Sequence, residues 1–224
     1  MPIRTSPRRV VISTMLLAVV PAHAGSWPKP PLPPDTAAAD VARQVVYNGV
    51  DMRAQIFQST STPDQVLDFY KKKWGKESIL NNIGDAQIVG HHEGDYLVTV
   101  QIRGYGAGSK GTIGILDTNS AKAGFVPGKG IPQAMGSLVF NDISYPDDPV
   151  PARTVAMRND LSPQQNASFY RERLAADGWK PANKNQCAPD SCVMYYSRGD
   201  SKMTVVVTPT DGYSQVLINV MDPS

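Results

Sequence analysis

Two stretches one hundred residues apart are near copies, T-P-D-Q-V-L-D-F-Y from Thr62 to Tyr70 and S-P-Q-Q-N-A-S-F-Y from Ser162 to Tyr170. Each is a helix start. Thr62 and Ser162 are N-cap residues, and Pro63 and Pro163 occupy the first helical position, where the missing N–H is one the helix leaves unpaired anyway. Gln65 and Gln165 stand three residues after the cap, as a capping box requires. Leu67, Tyr70 and Trp74 in one copy, and Ala167, Tyr170 and Leu174 in the other, then recur at the spacing of one helical face.

The likeness continues beyond the helices at an offset of 105. Gly94-Asp95 matches Gly199-Asp200, Val98-Thr99-Val100 matches Met203-Thr204-Val205, and Ile113, Ile115 and Asp117 match Ile218, Val220 and Asp222. These segments alternate as strands do, with Tyr96, Val98, Val100 and Ile102 on one side and Leu97, Thr99 and Gln101 on the other. Another alternating run precedes each helix: Val50, Met52, Ala54 and Ile56, then Val155 and Met157. The pattern predicts an α+β chain. It is read as a tandem duplication of a β-α-β-β-β module, residues 49–117 and 150–222, each with one helix on a four-stranded mainly antiparallel sheet. A module of that size has a marginal core by itself, so the two are expected to pack as a pseudo-two-fold pair.

The remaining segments frame the modules. Residues 1–24 have the layout of a signal peptide. Arg4, Arg8 and Arg9 are followed by a mostly apolar run from Val10 to Val20 and an Ala22-His23-Ala24 cleavage pattern. That run is shorter than the roughly 20 residues a bilayer core requires. The expectation is an exported protein, placed in the periplasm in preference to the extracellular medium, with no transmembrane segment in the mature chain. Residues 25–48 read as a Pro-rich arm with a short helix over Asp35–Tyr47. Residues 118–149 read as a Gly/Pro-rich linker, with the apolar island Leu138-Val139-Phe140 able to add a short strand.

Charge excludes one class of partner. The chain carries 22 Lys+Arg against 20 Asp+Glu, but three of the arginines and none of the acids precede Gly25. The mature chain is left with 19 against 20, so nothing favours nucleic acid or an anionic bilayer through bulk attraction. The two cysteines, Cys187 and Cys192 in C-A-P-D-S-C, are expected to form a disulfide across a Pro-Asp turn.

Several segments imitate catalytic or metal motifs without meeting their requirements. G-H-H-E-G-D from Gly90 to Asp95 gathers possible metal ligands, yet adjacent histidines on a strand point to opposite faces, and Gly-Asp is better read as a hairpin turn. R-G-Y-G-A-G-S-K-G-T from Arg103 to Thr112 lacks the Gly-Lys-Ser/Thr order of a phosphate-binding loop and leads into a strand. It reads as an exposed hairpin whose Tyr105 and Lys110 are candidate partner or ligand contacts. Phe69 and Phe169 lie on the flanks of their helices; core packing is the plain reading, contact with a partner the functional one. No nucleophile constellation, cofactor motif or metal-ligand set stands out, so no cofactor is assigned and no catalytic residue is named. The expectation is a non-enzymatic adaptor or scaffold holding another cell-envelope protein. The alternative is a periplasmic binding protein for an apolar small molecule or glycan, its cleft lined by aromatics such as Trp74, Tyr96, Tyr105, Trp179 and Tyr195.

Overall fold

A computed structural model describes residues 27–182 and 185–223. The expected signal peptide lies outside the described residues. Strands dominate what is described. In chain order they are β1 (Thr36–Tyr47), β2 (Val50–Ser59), β3 (Ile79–Ile83), β4 (Ala86–Glu93), β5 (Tyr96–Tyr105), β6 (Gly108–Asp117), β7 (Leu138–Tyr145), β8 (Ala152–Asn159), β9 (Lys180–Pro181), β10 (Gln186–Cys187), β11 (Cys192–Arg198), β12 (Ser201–Thr210) and β13 (Tyr213–Met221). The two helices are α1 (Pro63–Trp74) and α2 (Pro163–Ala176), each opened by a full capping box on Thr62 and Gln65 or on Ser162 and Gln165.

The expected pair of separate four-stranded sheets is overturned. The described strands form one continuous sheet in the order β10-β11-β12-β13-β8-β7-β1-β2-β6-β5-β4-β3, with β9 also paired to β11. Every pairing is antiparallel. Two strands from outside the expected modules cause the merger. β1, where a helix was expected, pairs with β2 from Thr36↔Ser59 to Tyr47↔Val50, and β7 pairs with β8. β1 and β7 then meet along two register pairs, Val46↔Ser144 and Tyr47↔Ile143. The two halves therefore join edge to edge within one sheet.

The reason lies at Asn48-Gly49. Both residues have positive φ, +49° and +81°, which suits the two-residue turn that matches strand twist. Tyr47 and Val50 are thereby register partners and β1 folds back along β2. The turn is also held in place by its surroundings. A Cβ on Gly49 would lie 2.5 Å from the Phe125 ring.

Apolar burial falls into two cores, one under each helix. Val66 and Tyr70 of α1 close over Val98, Val100, Ile102, Ile113 and Phe57. Ala167, Tyr170 and Leu174 of α2 close over Met157, Met194, Val205, Val207 and Ile218. The arm, from Trp27 to Pro34, is docked: Pro28 and Pro33 are buried, the Trp27 ring lies 5.2 Å from that of Tyr96, and Arg53 stacks on Trp27 at 4.7 Å.

A buried ion pair lies on the β7 side of the joint between the halves. The Asp142 carboxylate on β7, 1 % exposed, accepts hydrogen bonds from Arg153 Nε (2.8 Å), Arg153 Nη2 (2.7 Å) and the Gly128 N–H (2.7 Å). Arg153 Nη1 also donates to the Lys129 carbonyl, so the linker is tied to β8. Across the seam, Asn48 and Asp142 exchange hydrogen bonds: the Asn48 N–H donates to the Asp142 carbonyl, and the Asp142 N–H donates to Asn48 Oδ1, both at 2.8 Å. Tyr47 Oη donates to Asn141 Oδ1 at 2.8 Å.

Candidate functional site

Alternation along β5 decides which residues are free to meet a ligand. Val98, Val100 and Ile102 face α1 and are buried, so Gln101 and Arg103 face the other way, onto a side of the sheet that carries neither helix. Register extends that side to neighbouring strands. Gln101 is opposite Thr112, Thr112 is opposite Ile56, and Ile56 is opposite Ala39. One step along, Arg103 is opposite Lys110, and Lys110 is opposite Gln58.

These rows line a groove of about 540 Å³ on the helix-free side of the first half. β1 contributes only small side chains to its wall, Ala37, Ala38 and Ala39. Ile56 supplies an apolar surface and remains 54 % exposed. Tyr105, 50 % exposed, stands at one end, and Lys110 Nζ lies 4.5 Å from the centre of its ring, a cation–π contact. Arg103 pairs through Nε with Asp85 Oδ1 at 3.2 Å at the rim.

The named candidates separate into two places. Tyr105 and Lys110 both line the groove. Phe69 and Phe169 lie on the opposite, helix-bearing side, each edge-on to its neighbouring tyrosine with ring centres 5.1 and 5.0 Å apart, and each packed against the core beneath its helix. Cys187 and Cys192 form a disulfide between register partners on β10 and β11. The residues that sequence patterning missed are Ile56 and Ala37–Ala39. The signal for the alanines was present in Asn48-Gly49, which fixes the β1–β2 hairpin and so the position of β1.

Of the aromatics expected to line a cleft, Tyr105 lines the groove, while Trp74, Trp179 and Tyr96 are employed otherwise. Trp74 is stacked on His91 at 5.3 Å, Trp179 is buried beneath the Arg198 guanidinium, and Tyr96 packs on Trp27. The contact between each helix and the sheet is filled, with Val66, Tyr70, Tyr170 and Leu174 fully buried. His91 and His92 diverge across the sheet. His91 is opposite Val98 on the helix side, with Glu77 Oε2 3.8 Å from Nδ1, while His92 is exposed opposite Leu97. Among the described residues no cluster of three His, Cys, Asp or Glu is placed to hold a metal ion.

Burial alters proton affinity at a few groups, all away from the groove. Tyr70 and Tyr170 have their phenol pKa values pushed up from 10.0 by desolvation. Tyr170 Oη donates to the Pro132 carbonyl at 3.2 Å, whereas Tyr70 Oη is buried without a hydrogen-bond partner. At Asp142 burial acts to raise the pKa. The Arg153 hydrogen bonds, the Gly128 N–H and the Arg153 charge outweigh it and hold the carboxyl below its ordinary value. Comparison with family models, curated proteins and solved structures finds no match for the chain.

Proposed function

We propose that this chain is an exported, non-enzymatic binding protein that seats an apolar small molecule in the groove bounded by β1, β2, β5 and β6. One observation carries the reading: Tyr105 and Lys110 converge with Ile56 and the three alanines around about 540 Å³ of space. That volume is within the range of roughly 300–1,000 Å³ usual for small-molecule sites. Export is supported by the basic, apolar and small-residue order of residues 1–24, and a disulfide fits an oxidising compartment.

The groove can be closed without touching either core. Ala39 is exposed and lies opposite Ile56, so Ala39→Phe fills the space from one side. Titration with a neutral apolar dye such as Nile red is expected to give saturable fluorescence enhancement with the unmodified protein and little with Ala39→Phe. Equal enhancement in both proteins, at unchanged thermal stability, would remove the groove from consideration.

An adaptor role is favoured by a different feature. β3 forms one end of the sheet, all five of its residues are exposed, and the sequence I-L-N-N-I carries no charge. An uncharged open edge is a template for an added strand from an envelope protein. A photo-cross-linking residue at Asn82, activated in intact cells, is expected to capture one dominant protein. Capture of a diverse mixture, or of nothing, counts against the adaptor.

A further inference from the structure

The groove has a polarity. Its floor is apolar, built from Ile56 and the small side chains of β1, while the charged groups lining it are both cations. They are also neighbours, because Arg103 and Lys110 are register partners on β5 and β6. Their engagements differ. Arg103 is neutralised by Asp85 at 3.2 Å, whereas the contact made by the Lys110 ammonium is with the face of the Tyr105 ring. The ring attracts the cation through its quadrupole without cancelling its charge. Gln58 and Gln101 add amide donors, and Thr112 a hydroxyl, along the same rows.

We infer that the groove selects a free single-chain carboxylate: an alkyl chain lying across Ile56, Ala37 and Ala39, with its carboxylate at Lys110. This rests on the groove being a binding seat and adds the sign of the ligand's charge. A neutral chain would leave the ammonium without a counter-charge, and a cationic one would be repelled. The carboxylate also extends the Lys110–Tyr105 contact, since an anion beside the ammonium does not displace it from the ring.

The test uses three probes at concentrations that keep them monomeric: decanoate, decyl maltoside and decyltrimethylammonium. Binding is followed by backbone amide shifts, with Tyr105, Thr112 and Ile56 reporting the groove. Decanoate is expected to bind most tightly and the ammonium most weakly. Lys110→Gln is expected to weaken decanoate by about fivefold, near the upper end for a solvent-exposed ion pair, and Lys110→Glu to reverse the order of the two charged probes. Lys110 is exposed, so neither variant disturbs a core. If all three probes move the groove amides with equal affinity, or if Lys110→Glu leaves their order unchanged, the carboxylate assignment is overturned while the groove stands as a binding seat. If no probe moves those amides, both fail together.

Discussion

Replacing Arg153 by Met tests the buried pair that anchors β7 beside the joint. The Asp142 side chain is 1 % exposed, and two of the three hydrogen bonds its carboxylate accepts come from Arg153. Met removes the charge and the fork while keeping a side chain of similar length, so the carboxylate stays buried with one backbone N–H. Breaking a buried pair from one side typically costs about 3–5 kcal/mol. Arg153 is 30 % exposed, so water can replace part of what is lost and the lower end applies, about 3 kcal/mol. For a chain of this size that corresponds to a fall in Tm of about 6–12 °C. Urea unfolding followed by circular dichroism gives the free energy directly, through the midpoint at constant slope. Replacing both partners, Arg153→Met with Asp142→Leu, removes the stranded charge and is expected to recover most of the loss. The pH dependence has a fixed sign. Because the folded pKa of Asp142 is lowered, its contribution is present above the unfolded pKa and is lost as pH falls through the folded one. Asp142→Asn should therefore lose less stability than the unmodified protein on acidification. An Arg153→Met variant within about 0.5 kcal/mol of the unmodified protein would place it among ordinary surface substitutions and refute the account of this buried pair.

The paired tyrosines give a second test. Tyr70→Phe removes a buried hydroxyl with no partner and is expected to be neutral or stabilising, whereas Tyr170→Phe loses a bond to the Pro132 carbonyl and should cost about 1 kcal/mol. Both phenols have raised pKa values, so their contribution is complete below pH 10 and declines as pH rises towards the folded values. Each removes about 1.4 kcal/mol per pH unit in that interval, and the double Phe variant should lose that part of the alkaline slope. An unchanged slope refutes it. Gly49→Ala combines left-handed strain with a Cβ 2.5 Å from the Phe125 ring, and should cost about 2 kcal/mol or more in urea unfolding; a tolerated alanine would mean that the turn and Phe125 can move apart.

Legibility in the sequence varied with how local the determining physics was. The capping boxes and the Gly94-Asp95 and Gly199-Asp200 hairpins depend on a few adjacent residues, and the structure places them where the pattern put them. β1 was misread because Thr36-Ala-Ala-Ala-Asp favours a helix by propensity, and the chain resolves that ambiguity through long pairing with β2. The Asn48-Gly49 turn was the available evidence against a helix. Gly84-Asp85 marks another two-residue turn, between β3 and β4, whose strand was overlooked because Ile79–Ile83 shows little alternation. The merging of the halves depends on β1 meeting β7 about a hundred residues away, which no local pattern encodes. Of the groove, Tyr105 and Lys110 were legible as display positions on an exposed hairpin. Ile56 was legible only as a strand residue, because the absence of a covering helix on that side is a property of the assembled sheet.

The two ends of the sheet also constrain symmetry. At one end the outer strand is β3, open along five residues; at the other, β9 and β10 are two residues each, and the Cys187–Cys192 disulfide binds β10 to β11. Indefinite edge-to-edge growth requires two complementary edges on every copy, so that each addition exposes the next. Here one edge can recruit and the other is too short to answer. Among the described residues, pairing of two copies through β3 would be isologous and would consume the recruiting edge on both, so growth by that route stops at two copies.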